Sequence, residues 1–159
     1  MIALSVEGLR WCEHAGWLLV LCDPRGARRL QITLSLADAV TLGQELAGRC
    51  TERSGLYGLL GALVRERARP ASVQFALGDA QRARVQLVIE DEDGRRAFPI
   101  STADGVALAV RSSIPLFAEE ALMDAFAVGP CPRPPAEPDT TPGQSEIPPA
   151  FRLALGELG

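Results

Sequence analysis

Two eight-residue segments of this 159-residue chain resemble each other closely, and they constrain its fold more than any other feature. SLADAVTL begins at Ser35 and STADGVAL begins at Ser101, with five identical positions and an offset of 66 residues. Each opens with Ser-x-x-Asp, which is typical of a helix start because both side chains can bond free groups of the first turn. The pair therefore predicts two equivalent helices.

The similarity extends to the segments that precede these helices. LVLCDPRG at 19–26 resembles LVIEDEDG at 87–94, and Arg-Arg follows each, at 28–29 and at 95–96. Apolar alternation bounded by turn residues predicts strands in both places. We therefore predict an α+β fold in which a duplicated β-β-β-α-α unit forms one mixed sheet with helices packed on it. A chance likeness of two capped, alanine-rich helix starts remains the alternative.

Composition divides the chain into three parts. Residues 1–128 carry the apolar patterns of one folded domain, and a hydrophobic content of 47% suffices for one core. Residues 129–149 hold eight prolines, which predicts a disordered linker. Residues 150–159 place Phe151, Leu155 and Leu158 on one side of a short amphipathic segment. This segment is either a frayed tail or a docking peptide for its own domain or for a protein partner.

Charge and cysteine usage exclude several classes of function. The formal net charge of −4 argues against tight nonspecific binding to nucleic acid, although it allows a local basic groove or a metal-assisted site. The four cysteines and the single histidine, His14, lack the spacing of a zinc site. The sequence contains no glycine-rich loop of the kind that binds nucleotides, so no nucleotide cofactor is predicted. No apolar run reaches the length of about 18 residues that spans a membrane, so we expect a cytoplasmic protein with reduced thiols.

The segment at 102–122, TADGVALAVRSSIPLFAEEAL, resembles the most characteristic segment of the bifunctional nuclease (BFN) domain family. In that family an Asp-led helix ends in Arg, a proline-led crossover follows, and then a Glu-Glu pair. The matching residues here are Asp104, Arg111, Pro115, Glu119 and Glu120. Residues 30–46 are similar to the first strand-to-helix segment of the family, and the order of elements agrees over the folded part.

The chain also departs from the family pattern. Before its second helix the family typically has Thr-His-Asp-Leu, where this chain has Arg53, Ser54, Gly55 and Leu56. The family commonly has Glu where this chain has Asp38. If the His-Asp pair serves chemistry in the family, this chain has lost it. Two functions therefore stay open, a BFN-like nuclease and a catalytically degenerate BFN-fold module that regulates or binds partners through its proline-rich tail.

The nuclease alternative implies hydrolysis of phosphodiester bonds in DNA or RNA, assisted by Mg²⁺ or Mn²⁺. The candidate catalytic carboxylates are Asp38, Asp104, Glu119 and Glu120, with Asp104 and Glu119 as metal ligands. The competing interpretation of these acids is helix capping and interaction with the helix dipole.

Five arginines are candidates for binding phosphate: Arg28, Arg29, Arg95, Arg96 and Arg111. The alternative for the two dyads is a set of solvent-facing strand charges. For Arg111 the alternative is a buried carboxylate partner such as Glu119.

The second predicted helix, within residues 54–67, has Leu56, Leu59, Leu60 and Leu63 on one face. Together with exposed sheet edges, this leucine-rich face predicts a homo-oligomer, most simply a dimer.

Overall fold

A computed structural model of the chain describes residues 1–51, 53–67, 71–78, 83–92 and 94–128. The predicted linker at 129–149 and the predicted amphipathic segment at 150–159 lie outside the described residues. In chain order the elements are β1 (Ile2–Cys12), β2 (Gly16–Cys22), β3 (Arg29–Leu34), α1 (Leu36–Leu46), α2 (Ser54–Arg67), β4 (Ala71–Leu77), β5 (Ala83–Asp91), β6 (Gly94–Pro99), α3 (Thr102–Ser112), β7 (Leu116–Ala118), α4 (Glu120–Phe126) and β8 (Ala127–Val128).

The strands form one sheet in the order β6-β5-β4-β7-β1-β2-β3-β8. Neighbours are antiparallel except β4 and β7, which are parallel, so the predicted α+β fold with a mixed sheet is confirmed. The three-residue strand β7 joins the two halves, because Leu116 pairs with Leu4 of β1 on one side and with Val73 of β4 on the other. The first half runs β-β-β-α-α, whereas the second runs β-β-β-α and continues with β7 and α4, so the duplication stays a prediction.

The helix α3 lies at the centre of the molecule, with α1 and α2 packed against it and β4 and β5 beneath it. Gly105 sets its approach to the sheet, since a Cβ there would lie 3.2 Å from Val73 and 3.3 Å from Val85. The fully buried side chains of the core are mostly aliphatic, as the low aromatic content requires, and they include Leu19, Leu21, Leu42, Val73, Phe75, Val106, Leu108 and Leu122.

The helices α2 and α3 cross closely at Gly61. A Cβ at this position would overlap the Ser112 side chain, at 2.5 Å from its Cβ. Of the three glycines of α2, Gly61 is the one at which the two helices approach this closely. At Gly55 and Gly58 a Cβ would meet nothing within 4 Å.

The two Ser-x-x-Asp segments are helix starts with matching geometry. The Ser35 hydroxyl accepts a bond from the Asp38 amide at 3.1 Å and donates to Asp38 Oδ2 at 2.8 Å. The Ser101 hydroxyl accepts from the Asp104 amide at 3.1 Å and donates to Asp104 Oδ2 at 2.7 Å. The prediction of two equivalent helix starts is confirmed. Among the helices in the described ranges, none combines the length and the apolar character needed to cross a membrane.

Candidate functional site

Asp104 is the point where the starts of two helices meet. The Tyr57 hydroxyl donates to Asp104 Oδ1 at 2.6 Å, and Arg53 Nη1 lies 3.2 Å from the same oxygen. The Ser101 hydroxyl donates to the other oxygen, Oδ2. We call Arg53, Tyr57, Ser101 and Asp104 the Asp104 cluster. It joins the start of α2 to the start of α3.

Local sequence explains how each member of the cluster is placed. The Ser-x-x-Asp cap puts the Asp104 carboxylate on the first turn of α3, where the positive end of the helix dipole favours negative charge. Tyr57 lies in the first turn of α2, and its ring is buried between the helices while its hydroxyl reaches Asp104. Arg53 directly precedes α2, so its long side chain extends towards α3 from the solvent side.

The cluster fixes the charge state of its members. Partial burial raises the pKa of Asp104, but hydrogen bonds from Tyr57 and Ser101 and the charge of Arg53 outweigh burial and hold the pKa below its ordinary value. Burial, followed by the hydrogen bond to Asp104, raises the pKa of Tyr57 to about 12. The hydrogen bond with Tyr57 and the charge of Asp104 raise the pKa of Arg53. At neutral pH the cluster therefore holds a carboxylate, a protonated phenol and a guanidinium.

Both charged groups of the cluster can be reached from solvent. The Arg53 side chain is 57% exposed and the Asp104 side chain is 34% exposed. Asp38, by contrast, has the same serine cap, and its side-chain hydrogen bonds within the described residues go to Ser35 alone. The two equivalent aspartates thus differ in one respect, namely the groups that α2 brings to Asp104.

A second polar group lies on the buried side of α1. The Glu45 carboxylate is almost completely buried and accepts hydrogen bonds from the Thr51 hydroxyl at 2.7 Å and from the Ser54 hydroxyl. Arg111 Nη1, at the end of α3, lies 3.3 Å from its other oxygen. The alternative of a buried carboxylate partner for Arg111 is thus confirmed, but the partner is Glu45 and not the suggested Glu119. The end of α3 packs against α1, so the carboxylate it meets is Glu45.

Glu119 and Glu120, at the start of α4, have partners in two different places. Glu119 Oε2 accepts a bond from the Leu77 amide at 3.2 Å, and the Glu119 amide donates to Phe75 O at 2.9 Å, both in β4. Glu120 Oε1 lies 3.2 Å from Arg28 Nη1, and the same nitrogen lies 3.3 Å from Asp124 Oδ1. These carboxylates therefore have structural partners separate from those of Asp104.

The two arginine dyads lie at different strands, because Arg28 directly precedes β3 and Arg95 and Arg96 lie in β6. Arg29 begins β3 and donates to Glu7 of β1, and this hydrogen bond helps to lower the pKa of Glu7. Arg95 and Arg96 lie in β6, and Arg95 Nη2 donates to Gln74 Oε1 at 3.1 Å. Because β6 and β3 are the first and seventh strands of the sheet, the dyads are separated in the strand order. Their role in phosphate binding stays a prediction.

The donor groups do not fit a divalent ion held jointly by Asp104 and Glu119. The Arg53 guanidinium already lies against Asp104 Oδ1, and its positive charge opposes a second cation there. Glu119 is bonded to the β4 backbone instead. Within the described part of the chain, His, Cys, Asp and Glu side chains form no group of three or more that could hold a metal ion.

A cleft of about 540 Å³ opens beside the first turn of α3. Its polar lining comes from Gln31 and Thr33 of β3 and from Thr102 of α3, and its apolar lining includes Leu122 and Phe126 of α4. Its volume falls within the range of about 300–1,000 Å³ that is typical of small-molecule sites.

Sequence reasoning missed the contact of Tyr57 with Asp104 and the buried pairing of Glu45 with Arg111. One signal for Glu45 was available, since it falls on the same side of α1 as the buried Ala39 and Leu42. A charged residue on an apolar helix face needs a buried partner. Tyr57 is the single tyrosine of the chain, but nothing in its spacing indicates contact with Asp104.

No family model matches the chain, and a search of curated proteins finds no significant match.

Proposed function

We propose that the chain is a BFN-like nuclease that hydrolyses phosphodiester bonds of DNA or RNA at the Asp104 cluster. The observation that supports this proposal is the contact of Arg53 and Tyr57 with Asp104. This contact brings the segment at 53–56, which stands where the family has Thr-His-Asp-Leu, against Asp104 at the start of α3. An anionic group and a cationic group are thereby presented together at a partly exposed surface.

The chemistry of the cluster suits a phosphodiester substrate in a limited way. Arg53 has five N–H donors, so it can bind phosphate oxygens while it keeps a bond to Asp104. The Asp104 carboxylate is ionised and can accept a proton from an attacking water molecule. Tyr57 stays protonated and acts as a positioning residue. Because the pKa of Asp104 lies below the ordinary value, it is a weak base, and we expect slow hydrolysis.

The test compares two aspartates with the same cap. Hydrolysis of single-stranded RNA and DNA is measured with Mg²⁺, with Mn²⁺ and with a chelator, for the wild type, Asp104→Asn and Asp38→Asn. We expect Asp104→Asn to lose about tenfold or more of the rate and Asp38→Asn to keep most of it. Equal residual rates in the two variants would place the activity elsewhere or in a contaminant. The chelator arm tests the predicted need for Mg²⁺ or Mn²⁺ directly, and Glu119→Gln tests the second predicted ligand.

The second candidate is a catalytically degenerate BFN-fold module that binds a protein partner. The observation that favours it is the Arg53–Asp104 ion pair, because the chain's own cation neutralises the carboxylate to which the resemblance points. Partner binding would then use residues 129–159. We expect deletion of this segment to abolish capture in a pull-down and to leave thermal stability nearly unchanged. Retained capture would argue against binding through the tail.

We also propose that the protein works in the cytoplasm as a homo-oligomer, and that its two halves are a duplicated unit. The matching caps at Ser35 and Ser101 support the duplication.

A further inference from the structure

The buried Glu45 carboxylate has contacts on both of its oxygens. Oε1 accepts hydrogen bonds from the Thr51 and Ser54 hydroxyls, and Oε2 lies 3.3 Å from Arg111 Nη1. The Glu45 side chain is 1% exposed, so these three groups take the place of water around the charge. An amide in its place would present donors on one side, so only a carboxylate can accept from both sides. We call Glu45, Thr51, Ser54 and Arg111 the Glu45 cluster.

The Glu45 cluster closes the turn that begins α2. The Thr51 amide donates to Ser54 Oγ at 2.6 Å, and the Ser54 amide donates to Thr51 O at 3.1 Å. Such reciprocal bonds resemble those of a capping box, and the Glu45 carboxylate adds a negative charge where the helix dipole favours one. The start of α2 is therefore fixed to the last turn of α1 and, through Arg111, to the end of α3.

Arg53 lies within this turn and directly precedes Ser54. Its carbonyl oxygen accepts a hydrogen bond from the Tyr57 amide at 3.0 Å, and the side chains of both residues reach Asp104. A long side chain that is 57% exposed has many rotamers, so its contact with Asp104 depends on where its backbone is held. The Glu45 cluster holds that backbone. The helix crossing at Gly61 lies about two turns further along α2.

We propose that Glu45 is a positioning residue of the Asp104 cluster, which holds Arg53 and Tyr57 against Asp104 through the turn that Thr51 and Ser54 close. Glu45 acts through these two hydroxyls. The arrangement of the Asp104 cluster does not depend on a reaction, whereas the effect of Glu45 on hydrolysis rests on the proposed function.

The first test is a double-mutant cycle, measured by urea unfolding of the full chain. If Glu45 positions the groups that stabilise Asp104, then Asp104→Asn should cost less in the Glu45→Gln background. The folding equilibrium constant of the double variant should then exceed the product of the two single effects by about threefold or more.

The control cycle pairs Glu45→Gln with Asp38→Asn. Asp38 has the same serine cap and lies in α1 together with Glu45, so it reports any general loosening of that helix. The two losses should multiply to within about twofold. Independent effects in both cycles, or equal coupling in both, overturn the proposal.

The second test observes Tyr57, the single tyrosine of the chain, by carbon-13 NMR of its Cζ. The shift of this one signal reports the hydrogen bond of the hydroxyl. In Glu45→Gln and in Thr51→Val the signal should move towards its position in Asp104→Asn, whereas Thr51→Ser keeps the hydroxyl and should keep the wild-type position. Thr51→Val retains the buried ion pair, so it serves where Glu45→Gln fails to fold. An unmoved signal in the folded variants overturns the proposal.

Hydrolysis provides a third measurement. A loosened Arg53 binds phosphate less well, so Glu45→Gln should raise KM for single-stranded substrate more than it lowers kcat. An unchanged KM in an active Glu45→Gln variant overturns the positioning role. A wild type that hydrolyses nothing contradicts the proposed function alone, because the cycle and the Tyr57 signal still decide whether Glu45 positions the cluster.

Discussion

Replacing either capped aspartate by asparagine separates the contribution of the Asp104 cluster from that of a helix cap. Asp38→Asn removes one negative charge from the first turn of α1 and weakens its bond with Ser35. Asp104→Asn does the same in α3 and also removes the charge that faces Tyr57 and Arg53. The difference in free energy of unfolding between the two variants therefore measures the stabilisation that Tyr57 and Arg53 add to Asp104.

The structure sets the expected size of this difference. A negative charge at a helix start contributes about 0.3–1 kcal/mol to the free energy of unfolding, and both variants lose it. A hydrogen bond to a charged group contributes about 1.5–3 kcal/mol, compared with about 1 kcal/mol for a neutral one. The exposed ion pair Arg53–Asp104 adds little to this, because solvent screens it. Asp104→Asn should therefore cost about 1–2 kcal/mol more than Asp38→Asn.

The assay is urea unfolding followed by circular dichroism at several pH values. The pKa of Asp104 is lowered in the folded state, so its carboxylate stabilises the fold fully above the ordinary pKa of aspartate. This stabilisation is lost as the pH falls through the lowered pKa. The gap between the wild type and Asp104→Asn should be largest near neutral pH and should close in acid below about pH 4. Equal costs for the two variants at neutral pH, or a gap that does not change with pH, would refute this reasoning.

Two further substitutions test the packing around α2 and α1. Gly61→Ala should destabilise the fold by about 2 kcal/mol, because the added Cβ would overlap Ser112. Gly58→Ala should stabilise it by about 0.5–1 kcal/mol through helix propensity, because a Cβ there meets nothing within 4 Å. Thermal melts of both variants check this, and similar shifts in melting temperature would contradict the helix crossing at Gly61. Glu45→Gln should lower the free energy of unfolding by about 3 kcal/mol, because it breaks a buried pair with Arg111. Glu120→Gln, at an exposed pair with Arg28, should lower it by less than about 1 kcal/mol. Urea unfolding compares the two variants, and equal losses would argue that the Glu45 carboxylate is solvated.

The sequence predicts those features that depend on neighbouring residues. The caps at Ser35 and Ser101 follow from the spacing within one turn, and alternation of apolar residues predicts the strands of both halves. The insertion of β7 between β1 and β4 does not follow, because Leu116 and its neighbours form a strand only where both partner strands are present.

The candidate site is predicted only in part for the same reason. Asp104 is identified by its motif, but the groups that decide its charge come from Arg53 and Tyr57, about fifty residues earlier in the chain. The ion pair of Arg111 shows the same limit. Its helix position predicts a nearby carboxylate, whereas the packing of α3 on α1 decides that the carboxylate is Glu45.

The contact between α2 and α3 at Asp104 is the centre of this account, and the single tyrosine of the chain reports on it directly. Ionisation of Tyr57 is followed by ultraviolet difference absorbance, with circular dichroism to confirm that the chain stays folded. We expect a pKa of about 12 in the wild type and in Asp38→Asn, and a lower value in Asp104→Asn. An ordinary tyrosine pKa in the folded wild type, or a pKa that Asp104→Asn leaves unchanged, would contradict the account.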